Sequence, residues 1–232
     1  MSKSVESITK GFDISIKNPI LFLPYAVPII IQLIFNVLAY LIFPIRFYYY
    51  FEMPNPYIIF LGSLVSSILG FIAACMLVDM ANDVISGRPI DLRGSLNLVI
   101  TRFGTLIVAA IIAALCSITV VLLPIALFIV IIAIIEETGA IESVKRSFDF
   151  VIKNIGETII LIIIIIVVSA IFSVGFSYIP IVGPYISAII GWIINAIFTV
   201  VTVYFYLSLR PPPPPPPPPP EEPQFQPPTP PI

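Results

Sequence analysis

The stretch TLIVAAIIAALCSITVVLLPIALFIVIIAII, residues 105–135, decides the fold, because 31 uncharged residues are too many for one comfortable bilayer crossing and slightly few for two. A hydrocarbon core of about 30 Å takes roughly 20 apolar residues in helical form. Proline lacks the amide hydrogen that a helix interior needs, and its ring clashes with the preceding turn. Leu123-Pro124 is therefore where this run is expected to turn back.

Charge placement supports the reversal. Basic residues close to spanning segments favour the cytoplasmic side, and eleven lysines and arginines flank the apolar runs. Read as one kinked helix, the stretch gives five crossings, with six basic residues inside and five outside. Reversal at Pro124 gives six crossings, ten basic residues inside, and Arg46 alone outside. A shallow hairpin that enters and leaves on one face satisfies the same arithmetic, so both forms stay open.

The rest of the chain is of the same kind. With 59% hydrophobic and 10% charged residues, too little polar material is present to coat a water-soluble domain. Further uncharged runs lie at Ile20–Ile45, Tyr57–Val78, Thr158–Ile179 and Ile181–Leu209. The first nineteen residues lack an apolar centre with a cleavage site, so the first spanning helix is expected to drive insertion. A net charge of −2 with no basic block points to no nucleic-acid partner.

Between the oily runs one phrase recurs. VESITKGFDISIKN (5–18) and IESVKRSFDFVIKN (141–154) match at a constant offset of 136, and a weaker copy, LRGSLNLVITRFG, starts at Leu92. In the last strong copy Val144, Phe148, Val151, Ile152 and Ile155 form an apolar stripe at three- and four-residue spacing, with Lys145, Arg146, Asp149 and Lys153 on the remaining face. Such a helix lies along the membrane surface. The expected unit is an interfacial helix plus a transmembrane hairpin, written three times at about 1–81, 82–138 and 139–210. Chance likeness among short amphipathic helices is the alternative.

EETGAIESVKRSFDFVIKNIGETI (136–159) and DVISGRPIDLRGSLNLVITRFG (83–104) resemble the membrane domain of glycerophosphoryl diester phosphodiesterases and related six-helix bacterial and archaeal membrane proteins. The specific part is Glu-x-x-Gly-Ala-x-Glu-Ser-x-Lys-Arg-Ser, ending at Ser147. The resemblance covers roughly 1–210 and implies fold more than activity, since the namesake's soluble barrel is not in this sequence and its chemistry relies on histidines and metal-binding carboxylates.

This chain has no histidine, which removes the usual near-neutral acid-base group and the commonest metal ligand. Cys75 and Cys116 fall inside apolar runs and read as packing residues. No phosphate-binding glycine loop is present. The expectation is a protein without cofactor, metal site or enzymatic centre. Two polar groupings remain as candidates. Asp79, Asp83, Glu136 and Glu137 form an acidic set at predicted helix ends, read either as a cation or proton site or as helix-end solvation and salt bridging. Gln32, Asn36 and Asn195 lie deep in apolar runs, where ionisable or amide groups mark either a pathway or interhelical hydrogen bonds.

Small or polar residues recur every fourth place at Gly62, Ser66, Gly70 and Ala74, at Ala109, Ala113 and Ser117, and at Gly183, Ser187, Gly191, Asn195 and Thr199, rows that let helices approach closely. Pro24 and Pro28 predict a kink that neighbours must support, and FYYYF (47–51) an aromatic border. Ten prolines follow Arg210, then EEPQFQPPTPPI. A polyproline II rod of ten residues reaches about 31 Å. The tail, 211–232, is either a docking peptide for a cytoplasmic protein with an aromatic groove or a spacer.

The fold expected is thus an all-α polytopic transmembrane bundle of six spanning helices in a cell membrane, with both termini cytoplasmic. Its functional reading is a non-enzymatic scaffold or accessory protein with a docking tail. The alternative is a transporter or channel for a small solute, ion or lipid.

Overall fold

The computed structural model describes residues 2–47, 51–119, 121–177 and 183–210. The proline-rich tail and Tyr48–Tyr50 lie outside these residues. Among the described residues the chain is helical apart from one small hairpin. In order come α1 (Lys3–Lys17), α2 (Leu23–Val37), β1 (Ile45–Phe47), β2 (Phe51–Met53), α3 (Pro56–Ile85), α4 (Leu92–Thr101), α5 (Phe103–Ser117), α6 (Leu123–Ile135), α7 (Ala140–Lys153), α8 (Ile155–Ser177) and α9 (Gly183–Leu209). A 3₁₀ turn, Pro19–Phe22, leads into α2, and a π turn, Leu38–Ile42, leads out of it.

Four helical stretches are long and apolar enough to cross a membrane: Pro19–Ile42, Pro56–Ile85, and segments of α8 and α9 at Ile155–Phe172 and Ile190–Leu209. The run that opened the sequence reading falls short. It does reverse, but α5 has 15 residues and α6 has 13, which at 1.5 Å per residue is about 22 Å and about 20 Å. Neither spans a core of about 30 Å. With α4, α5 would make a fifth crossing only as one bent pair, since the two meet at an angle of 76°. Pro124 is not the tip. α5 ends at Ser117 and α6 begins at Leu123, so Pro124 sits in the first turn of α6, where a missing amide hydrogen leaves no bond unmade.

The three amphipathic helices share one burial pattern. On α1 the buried residues are Ser4, Ser7, Gly11 and Ser15; on α4, Ser95 and Val99; on α7, Ala140, Ser143, Ser147, Phe150 and Val151. Phe12 and Ile16, Leu96 and Ile100, and Phe148 and Ile152 all point outward. Gly11, Ser95 and Ser147 are thus equivalent, as are Ser15, Val99 and Val151, in the register of the sequence repeat. Small, largely polar residues in and large apolar residues out inverts the order of a water-soluble protein. It is the order expected where the surroundings are acyl chains and small residues permit close helix contact. The stripe expected on α7 is split: Phe148, Ile152 and Ile155 are exposed, whereas Val151 turns into the core.

α1 packs on α9, α4 on α3, and α7 on α6. At the first of these crossings a Cβ on Gly11 would stand 2.6 Å from the Val201 Cα, so only glycine fits. Ser147 Oγ donates to the Ile125 carbonyl at 2.6 Å. The small-residue row on α3 is also used. A Cβ on Gly62 would meet Phe35 of α2 at 2.3 Å, and one on Gly70 would meet the Trp192 ring of α9 at 3.0 Å. Ser66 Oγ donates to the Pro28 carbonyl at 2.9 Å, an α3 support for the proline-containing stretch of α2.

Burial is uneven along the bundle. The fully buried side chains gather in Ala73–Asn82 of α3, Ile125–Ile134 of α6 and Ala196–Tyr206 of α9. That is the end where α1, α4 and α7 dock, called here the charged end. Phe128, Phe150, Phe205 and Tyr206 form its aromatic centre, with ring centroids 4.9–6.4 Å apart.

Candidate functional site

The second half of α3, α6, α8 and α9 enclose a cleft of about 470 Å³. Most of its wall is apolar, from Phe71, Val78, Leu127, Ile165 and Phe198, and its polar groups are Ser169, Asn195, Thr199 and Thr202. Helical spacing explains why three of them face one way: residues 195, 199, 202 and 206 follow the i, i+4, i+7, i+11 pattern of a single helix face. The threonine hydroxyls are satisfied within α9, Thr199 by the Asn195 carbonyl at 2.9 Å and Thr202 by the Phe198 carbonyl at 2.7 Å. The Asn195 amide makes no side-chain hydrogen bond among the described residues and stands exposed to the cleft. Its far side opens on a second recess shared with Tyr25, Gly70 and Trp192, where Tyr25 and Trp192 meet edge to face at 5.5 Å.

The three intramembrane amides are not brought together. Gln32 Nε2 donates to Asn36 Oδ1 at 3.2 Å on α2, so these two satisfy each other in part, and neither lines the cleft. Asn195 alone does.

Nor do the four acids form one cluster. Asp79 Oδ2 accepts from Ser95 Oγ of α4 at 2.7 Å, and Asp83 pairs with Arg88 at 2.9 Å. Glu136 is held by Arg146 and by the Tyr206 hydroxyl, which comes from 70 residues away. Arg146 also meets Glu142 at 3.0 Å, and the hydrogen bonds it donates to Glu136 and then Glu142 raise the guanidinium pKa above its usual value. Glu137 contributes its backbone: at φ 50 it turns the chain out of α6, and its carbonyl accepts from Arg102. Among the described residues, no three His, Cys, Asp or Glu side chains converge as metal ligands would.

Three further residues organise the charged end, none of them among the candidate site residues of the sequence. Arg102, at the bend between α4 and α5, donates to the carbonyls of Ala133 (3.0 Å), Glu137 (2.5 Å) and Thr138 (2.7 Å), so one guanidinium caps the end of α6 and the approach to α7. Glu157, in the first turn of α8, accepts from Ser2 Oγ (2.5 Å), Ser4 Oγ (2.6 Å) and the Ser4 amide (2.9 Å). A carboxylate there satisfies orphan amides at the start of α1 and complements its dipole. Tyr206 closes the set. Only long-range partners reveal these roles, since each residue looks ordinary at its own position.

Beyond Tyr206 the wall continues into a surface pocket of about 500 Å³, lined by Arg146, Asp149, Lys153, Asn154 and Arg210 among others. Residues 191 to 209 of α9 therefore line the recess, the cleft and this pocket in succession over about 27 Å. Comparison with known proteins adds no assignment: no family model matches the chain, and neither a curated protein nor a solved structure matches it significantly.

Proposed function

We propose that this is a non-enzymatic integral membrane protein of the cell membrane, with both termini in the cytoplasm, that binds a small amphiphile or lipid chain in the cleft between α3 and α9. The crossings are the four long stretches, and α5–α6 is a hairpin entering and leaving on the cytoplasmic face. That arrangement keeps ten basic residues inside and Arg46 outside, as six crossings would. The common burial register of α1, α4 and α7 supports three repeated units of interfacial helix plus hairpin, closed in a ring by α1 on α9. Membership of the phosphodiesterase membrane-domain group stays a proposal resting on the segment that ends at Ser147.

The observation that carries the binding reading is Asn195, an amide with no side-chain partner among the described residues, facing an apolar cleft inside a spanning helix. Ligand pockets in general are concave, mostly apolar and equipped with a few polar groups. The test is thermal stabilisation of the purified protein by a panel of amphiphiles, followed by flux in liposomes. The reading expects stabilisation that Asn195→Leu weakens at least tenfold in apparent affinity, while Gln32→Ala, away from the cleft, leaves it intact. A panel without effect, or an effect indifferent to Asn195→Leu, would remove it.

Ten consecutive prolines after Arg210 favour a second reading, a scaffold whose tail docks a cytoplasmic partner. Truncation after Arg210 should then abolish co-purification of that partner while the bundle's melting temperature is unchanged. Identical co-purification from the truncated chain would dismiss it.

A further inference from the structure

The pocket beyond Tyr206 is built differently from the cleft, and its chemistry points to another ligand. Its floor is Phe150, Tyr206 and Leu209, and its rim carries Arg146, Lys153 and Arg210 against Glu136 and Asp149. Arg146 is committed to Glu136 and Glu142. Lys153 and Arg210 have no carboxylate within ion-pairing distance among the described residues. Arg210 follows α9 directly and Lys153 ends α7, so two cations without an ion pair line one pocket, with Asp149, among the described residues, as the one unpaired acid beside them.

Depth identifies the class of anion. On α7 itself Phe148 and Ile152, on either side of the pocket's Phe150, are exposed large apolar residues, which in this protein mark acyl chains. A helix that buries such side chains in the acyl boundary holds its lysines at headgroup level. From these positions we infer that the pocket binds the phosphate of one anionic membrane phospholipid, with Lys153 and Arg210 as its cationic contacts and the aromatic floor beneath the glycerol. The Asn154 amide uses one of its two N–H donors for the Phe150 carbonyl at 2.9 Å. Asp149 opposes the anion and limits its affinity. The inference does not depend on the cleft: the Tyr206–Glu136 contact separates the two spaces, and Asn195 takes no part.

Native mass spectrometry of the full chain, released from detergent after incubation with dioleoyl phosphatidylglycerol or phosphatidylcholine, tests this. One basic residue near an anionic surface contributes about 1 kcal/mol, so Lys153→Gln with Arg210→Gln should cut retention of phosphatidylglycerol roughly thirtyfold. Lys10→Gln with Lys145→Gln removes the same charge from exposed positions outside the pocket and should change it little. Asp149→Asn should raise retention, which no misfolded variant would mimic. Equal losses from both double variants would show general surface attraction and overturn the proposal, as would equal retention of the two lipids. Displacement by millimolar inorganic phosphate would also overturn it, since the anion would then be soluble.

Discussion

The hairpins that follow α4 and α7 leave equivalent amphipathic helices and end differently. Helices α8 and α9 run for 23 and 27 residues, whereas α5 and α6 stop at 15 and 13. The short pair has its own anchoring: Arg102 ties the end of α6, and Ser147 of α7 bonds the Ile125 carbonyl near its start. The long pair is tied at its first turn, where Glu157 receives α1. The two hairpins thus differ in length while the amphipathic helices before them both dock at the charged end.

The largest effect is expected at the short hairpin. Arg102→Ala removes three charge-assisted bonds to carbonyls, two of them partly buried, and should cost about 2–3 kcal/mol. Arg102→Lys should recover only part, because an ammonium cannot reproduce the planar fork. Thermal unfolding in detergent checks both, and a loss no larger than that of an exposed-site control would contradict the clamp.

Next is the closure between the first and last units. Gly11→Ala forces a Cβ to 2.6 Å from the Val201 Cα, backbone that cannot swing aside, and overpacking of this kind costs about 1–3 kcal/mol. Gly156→Ala has open space around it and should be neutral or slightly stabilising through helix propensity, by up to about 1 kcal/mol. Equal melting temperatures for the two variants would break the inferred α1–α9 crossing.

Smaller still is Glu157→Gln. It keeps the shape but loses the charge facing α1, a change of about 1 kcal/mol. Limited proteolysis should cut between Ser2 and Lys10 sooner in this variant than in the parent, and unchanged cleavage would argue against the tether.

Much of this fold was legible in residue order. Uncharged runs located the four long helices, the repeated phrase located α1 and α7, and the small-residue row on α3 predicted its contacts at Gly62, Ser66 and Gly70. What residue order left open was depth. Apolar composition is the same whether a hairpin crosses or turns back, and Pro124, the expected tip, serves equally well inside a first helical turn. The amide trio was legible only in part: Gln32 and Asn36, one turn apart on α2, share a face by helix geometry alone, but only tertiary packing decides that Asn195 faces the cleft and they do not. Glu136 read as one of four interfacial acids, and its partner Tyr206 lies too far along the chain for any local pattern to join them.

The depth of α5–α6 can be measured directly. With Cys75 and Cys116 replaced by alanine, a single cysteine is placed at Val121, an exposed residue of the segment joining α5 to α6, and another at Met53 in β2 as the external standard. An impermeant thiol reagent added to intact cells should modify Met53→Cys rapidly and leave Val121→Cys unmodified, because on the proposed topology that segment stops within the bilayer. Modification of Val121→Cys at the rate of Met53→Cys would place it outside, restore six full crossings and contradict the unequal-hairpin account.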